Sequence, residues 1–211
     1  MAMSMEQIYT HKVSECLERA KACEEFLNLY LANKDIYSFE SAVLQLRKSL
    51  ESMAMASIAP NKSVYEAYRA KAENSPDFTK DYNAAKILKN LEAINKDFYP
   101  VALIKPTLIA PGQWHFDRKT SGFLTKKKFQ KIYDRLGKYL HSDNPWSGNK
   151  GVENMAKEIP KIIQELGELL EWHATFIRTP KFKGVLVVES YSANGKPRTI
   201  VAFTNGDFTL G

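Results

Sequence analysis

The residues best suited to chemistry lie between Phe116 and His141, in FDRKTSGFLTKKKFQKIYDRLGKYLH. Arg118, Lys119, Lys126, Lys127, Lys128, Lys131, Arg135 and Lys138 fall in this stretch, and only Asp117 and Asp134 oppose them. Phe123, Phe129, Tyr133 and Tyr139 are interleaved with the cations. Cations hold a phosphate backbone, and aromatic rings stack bases. The same pattern also describes an amphipathic helix whose lysines simply face water.

Within it, Arg135 and His141 form the pair with catalytic potential. An arginine offers a fixed fork of donors to a phosphate. A histidine moves a proton near neutral pH. Six residues of α-helix turn through about 600°, so the two sit roughly 120° apart on an uninterrupted helix. They converge where the helix ends or bends, or where a second copy of the chain completes the site. Ser142-Asp143-Asn144-Pro145 supplies an ending. The alternative is a surface arginine and a histidine favoured by the helix dipole.

The other candidates point elsewhere or nowhere. His115 lies in an irregular stretch, His173 follows Trp172 at a helix end, and His11 belongs to the first helix. HxxxH, CxxC, GxxxxGK[ST], GxGxxG and GxSxG are absent, so neither a metal nor a cofactor is expected. Cys16 and Cys23 share a helical segment. Seven helical residues rise about 10 Å, too far for a disulfide within it, so buried free thiols are expected.

These residues need a scaffold, and apolar spacing supplies one. Helices are expected over 5–31, 38–58, 63–72, 80–95, 124–140 with Thr125 as a candidate N-cap, and 153–172 with Pro160 as a kink or a shifted start. Arg47 and Glu51 are four apart and form an expected ion pair. Prolines make 101–116 irregular, with Leu108-Ile109 and Trp114 to Phe116 as short extended pieces. Two β-type runs, Gly184 to Glu189 and Thr199 to Phe203, flank Ala193-Asn194-Gly195-Lys196, a hairpin signal. Asn205-Gly206 marks a second turn before Phe208 to Leu210. The fold class is mainly α: a helical bundle over 5–174 with a small C-terminal antiparallel β-hairpin appendage over 175–211. The appendage is expected to pack on the bundle and to pair with the earlier extended strand.

The hydrophobic share of 44% supports a buried core. The net charge of +6 suits an anionic partner. No apolar run approaches the roughly 20 residues of a spanning helix, and Met1 to Met5 does not open a secretory signal. A cytoplasmic protein without membrane partners is expected.

Leu46-Arg47-Lys48-Ser49-Leu50-Glu51 resembles the LR-x-x-LE pattern of HEPN-domain helices. Arg135-x5-His141, followed by Ser-Asp-Asn-Pro, resembles the R-x4-6-H signature of that superfamily. The likeness spans Met5 to Trp172. It implies a compact bundle that dimerises, and in many members a metal-independent endoribonuclease of toxin–antitoxin, abortive-infection or CRISPR-associated systems. It assigns Arg135 to phosphate binding and His141 to proton transfer as the 2′-OH attacks the adjacent phosphate. Lys126, Lys127, Lys128, Lys131, Lys138 and Tyr139 would orient the RNA. The implied partners are RNA, a second copy of the chain, and a protein antitoxin or regulator. Where the family often carries Asn, Asp or His after the arginine, this chain has Leu136. That departure matches members that only bind or scaffold, so a non-catalytic interaction, immunity or sensor module is the rival expectation.

Overall fold

The structure, a computed structural model, describes residues 3–73, 77–111, 113–142, 146, 150–179, 182–192 and 197–203. Helix α1 (Met5–Asn33) opens on a capping box, in which the Ser4 hydroxyl accepts from the Gln7 amide and the Gln7 side chain accepts from the Ser4 amide. Lys34, with φ of 56°, ends it in the left-handed conformation. Asp35 then caps α2 (Ile36–Ala56) by accepting from the amides of Tyr37 and Ser38. This two-residue reversal starts α2 earlier than its apolar pattern suggests and lays it antiparallel to α1. The buried positions of α1 are Tyr9, Val13, Cys16, Ala20, Cys23, Leu27 and Tyr30. They alternate steps of four and three, a narrow seam of coiled-coil type. Across it the Ser49 hydroxyl donates to the Cys16 carbonyl at 2.7 Å. Both cysteines are buried and free, and burial raises each thiol pKa to about 12.

Helices α3 (Lys62–Glu73) and α4 (Ala84–Ile94) follow short 3-10 turns at Ala59–Asn61 and Phe78–Lys80. Asp77 caps the second turn and Asn83 caps α4, so α4 begins four residues later than expected. Helix α5 (Lys126–Tyr139) starts at the expected cap, where the Thr125 hydroxyl accepts from the Lys128 amide. Helix α6 (Val152–Leu170) runs through Pro160.

Arg47 and Glu51 pair at 3.5 Å, as their spacing predicts. Together they seat α5. The Arg47 guanidinium lies 3.8 Å from the centroid of the Tyr133 ring and donates to the Tyr133 carbonyl at 2.8 Å. The Tyr133 hydroxyl donates to Glu51 at 2.9 Å. A side chain at Gly137 would place its Cβ 3.0 Å from the Arg47 terminal nitrogen, so glycine permits this approach.

The fold is mainly α with a small antiparallel sheet at its C-terminal end. The sheet order is β1 (Val101–Ala102), β4 (Trp172–Thr179), β5 (Phe182–Glu189), β6 (Arg198–Phe203). Two sequence-based expectations are corrected here. The last helix stops at Leu170, and Trp172 to Thr175 are strand rather than helix end. The early strand that joins the sheet is Val101–Ala102, which pairs with β4. The pieces around Leu108 and Trp114, β2 (Thr107–Ala110) and β3 (Gln113–His115), pair instead with each other. Strand β4 is buried along both faces. Leu186 and Val188 of β5 face the helical core, while Trp172, Ala174 and Val187 pack with Leu103 and Phe116 outside it. The Asn194-Gly195 turn, the Asn205-Gly206 turn and Phe208 to Leu210 lie outside the described residues.

Candidate functional site

Helix α5 buries Phe129, Ile132, Tyr133, Leu136 and Tyr139 and turns most of its lysines outward. Its exposed flank meets α6, which buries Met155, Ile159, Ile162 and Leu166 and leaves Lys157, Glu158 and Lys161 in solvent. The two flanks enclose a groove of about 310 Å³ with an apolar floor at Ile132 and Ile162. Lys128, Lys131 and Arg135 line it from α5, and Lys157 and Lys161 from α6. Two carboxylates, Glu158 and Glu165, are set among these five cations. An adjoining recess of about 300 Å³ shares Arg135 and Glu158 and adds Lys138, Lys150 and Asn154. The result is a basic channel along one side of the bundle, with cations on both walls.

The acids are engaged with specific cations. Arg135 donates through both terminal nitrogens to Glu158, at 2.8 and 2.9 Å. The fork raises the pKa of Arg135 and holds the Glu158 carboxyl below its ordinary range, the hydrogen bond being the larger cause in each case. Lys128 reaches Glu165 at 2.7 Å. Both members of the Arg135–Glu158 pair are more than 40% exposed, and such pairs contribute only about 0–1 kcal/mol. A phosphate entering the groove can therefore take the place of Glu158 on the guanidinium at little cost.

The structure sorts the sequence-predicted residues into three groups. Lys128, Lys131, Arg135 and Lys138 line the channel. Lys127 is exposed but lines neither recess, and Lys126 turns away to pair with Glu92 near the Phe98 ring. Tyr139 borders the second recess, yet its ring is buried in edge contact with Phe39, 5.4 Å between centroids. It supports the wall and presents no open face for a base. His141 is exposed just past the Leu140 cap, and its carbonyl accepts from Lys150. Neither recess counts His141 among its lining residues. Leu136 is fully buried, so no polar group stands at the position after Arg135.

Sequence reasoning missed Lys150, Lys157 and Lys161. The signal for the last two was their four-residue spacing on the polar face of α6. Among the remaining histidines, His115 is exposed 3.1 Å from Asp117, and His173 is buried. Among the described residues no cluster of His, Cys, Asp and Glu is placed to hold a metal ion, and no helix is long and apolar enough to cross a membrane.

No family model, no curated protein and no solved structure matches the chain. The groove's own chemistry therefore carries the functional reading.

Proposed function

We propose that the protein binds RNA along the channel between α5 and α6. The observation that carries this reading is the pairing of cations across the groove: three from α5 face two from α6, and only two carboxylates stand among them. A phosphodiester chain supplies the complementary charge at regular spacing. The likeness of the Arg135–His141 spacing to the HEPN signature agrees with this choice of polyanion. RNA is the expected partner. A second copy of the chain and a protein antitoxin or regulator are added on the strength of the resemblance alone.

Cleavage is a second reading, favoured by the exposure of His141 at the helix end beside the channel. In it the 2′-OH attacks the adjacent phosphate as the P–O5′ bond breaks, leaving a 2′,3′-cyclic phosphate and a 5′-hydroxyl; His141 takes the 2′-OH proton or gives one to the departing 5′-oxygen, and Arg135 leaves Glu158 to stabilise the developing charge. The buried Leu136, which leaves no polar group after Arg135, weighs toward binding without cleavage. Incubation of the protein with mixed RNA in EDTA, beside Arg135→Ala and His141→Ala, separates the two. The binding reading expects intact RNA retained by the parent protein. Cleavage abolished by both substitutions would establish the endoribonuclease, and neither retention nor cleavage would end both readings.

A further inference from the structure

A third recess lies elsewhere on the bundle and differs in character from the basic channel. It holds about 300 Å³, and its wall is made by Ile8, Met55, Ile58, Ala59 and Phe78. Ile8 and Lys12 are four apart on α1, so they present one face. Met55 comes from the last turn of α2, Ile58 and Ala59 from the following turn, and Phe78 from the 3-10 turn opposite.

The rim is positive. Lys12 meets Glu15 at 2.6 Å, but Glu15 also pairs with Arg19 at 2.8 Å, so the three side chains retain one positive charge. Asp81 presents no free negative charge: one carboxylate oxygen accepts from Arg69 at 2.7 Å and the other from the Tyr65 hydroxyl at 2.9 Å. Lys62 is exposed at the first position of α3, and that first turn contains no acid. A cation there opposes the helix dipole, so local helix stability does not explain it. Beside an apolar wall, it gives the recess a cationic end.

We propose that this recess binds a small amphipathic carboxylate, its apolar tail against Ile8, Met55, Ile58 and Phe78 and its headgroup between Lys12 and Lys62. The volume, about 300 Å³, stands at the lower end of the about 300–1,000 Å³ typical of small-molecule sites, which suits a single short chain or one ring. The apolar wall supplies affinity, and the two lysines select the anion. The site is independent of the RNA channel, since the two share no residue.

The test is calorimetric titration of the full chain with decanoate, with decan-1-ol as the uncharged match and acetate as the tailless one. Decanoate is expected to bind saturably at one site, decanol about tenfold more weakly, and acetate not measurably, the tenfold being about one charge interaction. Lys62→Glu places an acid where the helix dipole favours one, so the fold is kept, and it is expected to weaken decanoate about tenfold or more while leaving decanol unchanged. Ala59→Trp, which fills the recess, is expected to abolish both. Equal binding of decanoate and decanol, an unchanged decanoate affinity in Lys62→Glu, or no saturable binding would overturn the proposal. RNA retention by Lys62→Glu reads the channel separately, so failure of one site is distinguishable from failure of the other.

Discussion

His141, just past the end of α5, is exposed to solvent, whereas His173, on β4, has no exposed surface at all. The buried ring is fixed at both nitrogens. Nδ1 stands 2.9 Å from the Leu170 carbonyl, which only accepts, so Nδ1 carries the hydrogen. Nε2, at 3.0 Å, then accepts from the Tyr9 hydroxyl. Burial lowers the pKa of His173 to about 4, against a smaller opposing effect of the Leu170 carbonyl. The ring is thus a neutral tie between α1, the end of α6 and β4. The groove is built the other way. Its cations stay in water, its Arg135–Glu158 pair is exposed and weak, and of its charges only Glu165 is buried. The contrast separates the two roles by environment: the residue type alone identifies neither.

The largest expected difference is in stability. His173→Ala leaves a cavity and takes the acceptor from the Tyr9 hydroxyl, while the Leu170 carbonyl keeps its bond from the Ser190 hydroxyl, and it is expected to cost about 3 kcal/mol in urea unfolding. His141→Ala is expected to stay within about 0.5 kcal/mol of the parent. Equal losses would erase the distinction.

The second difference is in pH dependence. Because folding lowers the pKa of His173 from 6.5 to about 4, the unfolded chain binds the proton more readily between those values. Stability is full above pH 6.5 and declines as pH falls through the window, by up to about 3 kcal/mol. Denaturation curves across that window check the slope, and His173→Gln is expected to flatten it. A slope unchanged in that variant would mean that other groups carry it.

The smallest effect is at the groove's own ion pair. Glu158→Gln removes the carboxylate that holds Arg135. RNA affinity is expected to rise about three- to tenfold, with stability changed by less than about 1 kcal/mol. A fall in affinity would show that Glu158 helps to hold the ligand rather than competing with it.

Much of the scaffold was legible because each helix carries its own signals. The narrow seam of α1, the Thr125 cap and the Arg47–Glu51 spacing are all local. Strand β4 was not legible. Both of its faces are covered, so Trp172-His173-Ala174-Thr175-Phe176-Ile177 shows no alternation, and it abuts the periodic stretch of α6. The misplaced strand took His173 with it, from the core to a supposed helix end. The candidate site was half legible. Lys128, Lys131, Arg135 and Lys138 lie together in sequence, but the opposing wall comes from α6, and only packing brings Lys157 and Lys161 across from them. Packing also decides against Tyr139 as a stacking platform, because its helical position faces Phe39.

The most direct test of the RNA channel is fluorescence anisotropy of a labelled single-stranded RNA over a range of salt, for the parent and for Lys131→Glu combined with Lys161→Glu. These lysines face each other from the two walls and carry no structural load in the core. The parent is expected to bind with affinity falling linearly in the logarithm of salt. The double reversal is expected to lower affinity about 100-fold and to flatten the slope by about 1.4, two phosphate contacts at about 0.7 each. Parent-like affinity and slope in the double variant, with its fold intact, would contradict the account.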